Sequence, residues 1–227
     1  MKFTFFLLIF LVVAPVFSQI NKGAFDDYLY FVNQTRPSYE GVEGSPYVNE
    51  SFVPAKVDDF DKVIYIKFNA FANNIEFRSP ENDVAILSLE KDYTFRLLDG
   101  SNAEYEVHDY INDENVTGRT FFKKVRSGAN FNLYQKQNVK YVPKKLATSG
   151  FEQNQPAKFI KTNVTFYVNK PVQDSMKLVP VPTRKKEIAA FLNVKSSAVK
   201  QYIKEENLKL GSEDDLVKIL NHYWSLD

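Results

Sequence analysis

Glu104, Glu106 and His108 are the residues of this chain whose types and spacing come nearest to chemistry. In Glu104-Tyr105-Glu106-Val107-His108-Asp109, an extended backbone would put both carboxylates and the imidazole on one strand face. Two carboxylates and an imidazole could ligate a metal or work as an acid–base pair. The same triplet is also what a wetted strand face looks like, and that is the plainer reading. These three are the catalytic candidates. A second distinctive string is Gly41-Val42-Glu43-Gly44-Ser45-Pro46-Tyr47, where two glycines and a proline impose an unusual backbone path. Read as a ligand loop, it offers Ser45 and Tyr47 as binding candidates. Read more simply, it is a rigid turn that anchors the N-terminal arm through Tyr47, Val48 and Phe52.

Other acidic strings carry less. Asp58-Asp59-Phe60-Asp61 lacks the spaced oxygens and turn glycine of a calcium loop and reads as a solvated turn. Glu213-Asp214-Asp215 sits where carboxylates complement a helix N-terminus. No metal site and no cofactor is expected. No serine lies in a G-x-S-x-G elbow, and eight glycines in all could hardly supply a phosphate loop.

The elements that must position these residues are mostly strands. From Lys62 the pattern has period two: Ile64, Ile66 and Phe68 face one way, Tyr65, Lys67 and Asn69 the other. Asn73-Asn74 supplies a turn into Ile75–Arg78, so 62–79 is expected to be a hairpin. Val84–Leu89, Tyr93–Leu98, Glu104–Tyr110, Thr120–Arg126, Asn130–Lys136, Lys140–Val142 and Lys158–Val168 read as further strands. Asp99-Gly100 and Ser127-Gly128 are turn signals between them. The stretch 19–60, with five prolines and glycines between 37 and 54, reads as an extended arm with one strand at Tyr28–Asn33.

After Pro180 and Pro182 the period changes to 3.6, and three short helices are expected at Arg184–Leu192, Ser197–Glu206 and Glu213–Trp224. Ser196 and Ser212 sit at N-cap positions. The last helix aligns Leu216, Ile219, Leu220, Tyr223 and Trp224 on one stripe. Ala189, Asn193 and Val199 have helix-turn-helix spacing, but residues 183–227 hold eight basic against seven acidic groups, no basic face for DNA. His222 is expected at the surface or at a contact rim.

The first eighteen residues bound the compartment. Lys2, the apolar run from Phe3 to Ala14, and small residues before a cut after Ser18 have the layout of a secretory leader. The run is short of the roughly 20 residues needed to cross a bilayer, so no transmembrane segment is expected in the mature chain. With no cysteine, disulfides and thiol chemistry are excluded, which favours a bacterial periplasm over an animal or fungal secretory route. Four N-x-S/T sequons (Asn33, Asn49, Asn115, Asn163) are then chance matches. Lys and Arg number 29 against 28 Asp and Glu, and losing Lys2 with the leader leaves formal neutrality. A neutral exported domain carries no footprint for nucleic acid. Twenty Phe and thirteen Tyr favour strands and also sugar- or peptide-binding surfaces.

Val42-Glu43-Gly44-Ser45-Pro46-Tyr47-Val48-Asn49-Glu50-Ser51-Phe52 resembles the opening motif of an uncharacterised family of exported Bacteroidetes proteins. The resemblance returns at Ile75-Glu76-Phe77, Lys185-Lys186-Glu187-Ile188, Tyr202-Ile203-Lys204, Asn207-Leu208-Lys209-Leu210, Glu213–Val217 and Tyr223-Trp224-Ser225-Leu226. Val48 departs from the leucine that usually follows Ser-Pro-Tyr. The family transfers no activity. It implies export and a lysine-rich helical cap.

The expectation is an α+β protein: leader 1–18, extended arm 19–61, an antiparallel β-rich body 62–182 folded as a roll, sandwich or open barrel, and a helical segment 183–227. It is expected to be periplasmic or extracellular, a non-enzymatic binding or accessory module whose partner is an envelope protein or glycan. The alternatives are a hydrolase using the Glu/His cluster, which needs a deep pocket, and a carbohydrate binder, which needs a planar row of exposed rings.

Overall fold

A computed structural model describes residues 29–32, 38–58, 60, 62–128, 131–147, 153–172, 175–192 and 196–226. The expected leader therefore lies outside the described residues. The chain is α+β and strand-rich, as its alternating pattern predicts. Among the described residues, thirteen strands precede three helices. β1 (Phe31–Val32), β2 (Val53–Val57), β3 (Ile64–Asn69), β4 (Asn74–Arg78), β5 (Val84–Leu87), β6 (Thr94–Leu97) and β7 (Glu104–Ile111) form the first half of an eleven-stranded sheet, in the order β1-β5-β4-β3-β2-β6-β7. β8 (Thr117–Ser127), β9 (Asn132–Lys136), β12 (Thr165–Val172) and β13 (Ser175–Pro180) form the second. β10 (Val139–Val142) and β11 (Lys158–Lys161) make a separate two-stranded sheet.

The second half closes on itself. β7 pairs with β8 along Tyr105–Ile111, β8 with β9, β9 with β12 and β12 with β13, all antiparallel. One parallel contact, Leu178 opposite Tyr110, returns β13 to β7. Each strand of this ring sends one large side chain into a shared cluster: Tyr110, Phe122, Tyr134, Tyr167 and Leu178. A ring this small is filled by side chains.

Two strand pairs serve as party walls. On β7/β8, Tyr105, Val107 and Phe121 face the first sheet's core, which holds Phe68, Phe77, Phe95 and Tyr93. Their neighbours Tyr110 and Phe122 face the ring. On β9/β12, Tyr134 and Tyr167 fill the ring while Leu133, Phe166 and Val168 pack under the helical tail. Period-two alternation lets one strand bound two cores.

The tail is α1 (Lys185–Leu192), α2 (Ser196–Glu205) and α3 (Glu213–Ser225). Ser212 caps α3, accepting from the Asp215 amide, and Leu216, Ile219 and Leu220 are buried. Val199 is fully buried with Ile188 and Ile203. The spacing that imitates a helix-turn-helix thus includes a packing residue, and Ala189's side chain and Asn193 lie outside the described residues. His222 stacks on Tyr202 at 4.0 Å between ring centres, a contact between α3 and α2.

Three differences from the sequence reading have physical causes. The stretch expected as an arm contains β2, an interior strand between β3 and β6, although Pro54 interrupts its apolar pattern. Lys158–Val168 is two strands, because β11 pairs with β10 while β12 pairs with β9. The side chains of Gln137 and Asn138 bind the carbonyls of Thr162 and Asn163 at that break. β13 carries no expectation at all; Pro180 at its end masks a strand that touches β7 at a single register position. Of the strand expected at Tyr28–Asn33, Phe31 and Val32 are paired, and Tyr28 and Asn33 lie outside the described residues.

Candidate functional site

β7 does carry Glu104, Glu106 and His108 on one face, opposite Tyr105 and Val107. Register across the neighbouring strands then decides what they meet. On β8, Phe122 stands opposite Glu106, and on β9, Tyr134 stands opposite Lys124. Lys124 Nζ donates to Glu104 Oε1 at 2.8 Å and to Glu106 Oε1 at 2.7 Å. The other carboxylate oxygen, Glu106 Oε2, lies 2.7 Å from His108 Nε2 and accepts from the Tyr134 hydroxyl at 2.8 Å. The imidazole meets the Tyr134 ring edge-on at 4.8 Å. Glu106 is the hub, its side chain 14 % exposed.

The electrostatics follow from those contacts. Burial opposes ionisation of Glu106, but hydrogen bonds from His108, Lys124 and Tyr134 outweigh it and hold the carboxyl far below its usual range. Its bonds to Glu104 and Glu106 raise the Lys124 amine. Burial, reinforced by Glu106, drives the Tyr134 hydroxyl well above its ordinary value. Outside the ring, burial, with a smaller contribution from Asp99, pushes Tyr105 up to about 12. Glu104 also lies 3.7 Å from Arg96. Sequence reasoning reached three members of this cluster and missed Lys124 and Tyr134, whose membership depends on pairing across β8 and β9.

Neither Glu106 nor His108 lines any of five clefts among the described residues. Glu104 and Lys124 border one open depression of about 480 Å³. Among the described residues, no three His, Asp or Glu side chains converge so as to hold a metal ion.

Ser45 and Tyr47 lie elsewhere. Gly44 adopts φ +75°, and a Cβ there would collide with the Phe159 carbonyl, so the string needs glycine to lie against β11. Glu43 pairs with that strand, its amide donating to Ala157 O at 2.9 Å and its carbonyl accepting from Phe159 N at 2.8 Å. Tyr47 is buried; its hydroxyl donates to Glu76 Oε1 at 2.8 Å, and Lys67 Nζ lies 3.6 Å from its ring centre. Ser45 Oγ accepts the Tyr47 amide at 3.3 Å, and a hydrogen bond from Ser45, followed by one from Lys161, lowers the Glu50 carboxyl. These contacts suit an anchor more than an open ligand loop. In the acidic string at 58–61, Asp58 accepts the Thr94 amide at 2.8 Å and Phe60 is buried, while Asp59 and Asp61 lie outside the described residues.

Comparison with protein-family models, with curated proteins and with solved structures finds no match. No helix among the described residues is long and apolar enough to cross a membrane.

Proposed function

We propose that this chain is an exported, non-enzymatic binding or accessory module of a bacterial envelope. One observation carries the reading against the hydrolase alternative: each acid and base of the Glu/His cluster is engaged by internal partners. A general base works best with a pKa near the operating pH. Glu106 is held far below that, with His108, Lys124 and Tyr134 on its oxygens. Such a group suits a polar strut better than a proton shuttle. The leader-like N-terminus and the resemblance to exported Bacteroidetes proteins support the compartment. A protein partner is favoured over a glycan, since a sugar platform needs coplanar exposed rings. The exposed pair Phe71 and Tyr141 is inclined by 45°.

The test is to express the tagged full-length chain in a Gram-negative host, fractionate the cells and cross-link the envelope. A periplasmic or surface product starting at Gln19, with a reproducible cross-linked partner, is the expected result. Cytosolic protein retaining Met1 would refute export. A hydrolytic activity abolished by Glu106→Gln in folded protein would refute the non-enzymatic reading.

A further inference from the structure

The helical tail does not seal the outer face of β12. A groove of about 210 Å³ remains there, walled by Phe131, Val168, Phe191, Tyr223 and Trp224, with Lys170 set among them. Met176, 58 % exposed, stands at its lip. The wall is mostly apolar, Asn169 being a further polar side chain, and among the described residues the amine is its one cation. Lys170 Nζ donates to the Phe191 carbonyl at 2.5 Å and lies 4.1 Å from the centre of that ring. An ammonium has three donors, so this bond at the end of α1 leaves two. Among the described residues no carboxylate pairs with it. Burial lowers its pKa. Among the described residues, the surroundings thus withdraw water from a cation and give it no anion in return.

We infer that this groove binds a small organic carboxylate with an apolar body, the carboxylate on Lys170 and the body against Phe191, Tyr223 and Trp224. A lone amine suits a single negative charge; a phosphate dianion would call for more donors than the groove presents. The volume is below the roughly 300–1,000 Å³ of sites for drug-sized ligands, which limits the body to a short chain or a single ring. This assigns a ligand class to the binding module proposed above and rests on that reading.

Trp224 is the chain's single tryptophan, so its fluorescence reports on the groove directly. Purified protein is titrated with octanoate, octanol and octylammonium, with calorimetry as a second readout. Octanoate should give a saturable change, octanol should bind about tenfold more weakly for want of the charge-assisted hydrogen bond, and octylammonium should not bind. Lys170→Met should weaken octanoate about tenfold and leave octanol unchanged. Met176→Glu, at an exposed position where folding is not at stake, should also weaken octanoate by placing a like charge at the lip. No saturable octanoate signal by either readout, octanol binding as tightly as octanoate, or undiminished octanoate affinity in both variants overturns the inference. The envelope cross-linking is independent of Lys170. A failed titration with a cross-linked partner therefore sinks the groove alone, and the converse sinks the partner reading alone.

Discussion

The two sides of β7 make opposite cores from one strand. Toward the first sheet, Tyr105 and Val107 join Phe68, Phe95 and Phe121 in a core held by ring contacts and apolar burial. Phe68 stacks on Tyr105 at 4.2 Å and meets Phe121 at 4.8 Å. Toward the ring, Glu104, Glu106 and His108 meet Lys124 and Tyr134, and the space is filled jointly by rings and by a hydrogen-bonded carboxylate. The first core is held by non-directional apolar burial. The second is directional, since a buried carboxylate is stable only with its donors in place. The closure of this five-stranded ring, a single parallel register pair between β13 and β7, has little ladder to define it. The polar hub spans β7, β8 and β9 and adds a directional constraint to strands that the backbone already pairs.

The contrast is broken most severely on the dry side. Phe68 is fully buried among rings, and Phe68→Ala should cost about 3–5 kcal/mol in denaturant unfolding. That loss should be nearly the same at pH 5 and pH 8. Glu106→Gln should cost less, about 1–3 kcal/mol at pH 7, through weakened bonds to Lys124, His108 and Tyr134. Its signature is the pH profile. Glu106 has a folded pKa below its unfolded value of about 4.3, so its contribution is complete above that value and lost as pH falls. Wild type and variant should approach one another progressively as pH falls from about 4 toward the much lower folded value. A difference that persists unchanged into acid would mean that packing, not charge, accounts for Glu106. Tyr134→Phe comes next at about 1–2 kcal/mol. Combined with Glu106→Gln it should cost less than the sum, since both remove the 2.8 Å bond. Strict additivity would show that the two groups act separately.

What could be read from the sequence divides along the same line. Alternation put Glu104, Glu106 and His108 on one face and exposed the hairpin of β3 and β4, because side-chain direction along a strand is local information. The three helices and the Ser212 cap were legible for the same reason. Lys124 and Tyr134 were not, since they reach Glu106 through the register of β8 and β9, set by pairing between distant residues. Pro54 and Pro180 hid β2 and β13: each reads as a breaker until the paired neighbours are known. The groove at Lys170 was invisible too, because Trp224 and Phe191 belong to helices whose docking on β12 no local pattern states.

The smallest expected effect sharpens the comparison from within the ring. Lys136 follows Tyr134 by two residues on β9 and lies 5.4 Å from the Tyr110 ring centre. Burial lowers its pKa, in contrast to Lys124, which two carboxylates raise. One lysine is thus integrated into the hub and the other is merely tolerated beside it. Lys136→Met keeps the stem's length and removes a desolvated charge, so it should be neutral or stabilising by up to about 1 kcal/mol at pH 7. The sign with pH is opposite to that of Glu106. A lysine with a depressed folded pKa weakens the native state while protonated, and the penalty fades as pH rises through the folded value toward about 10.4. The variant's advantage should therefore shrink in alkali, measured as the difference in unfolding free energy between pH 7 and pH 10. A clear loss of stability at pH 7 would mean that the Lys136–Tyr110 contact is part of the ring's specification, and that the polar hub extends one residue pair further than Glu106.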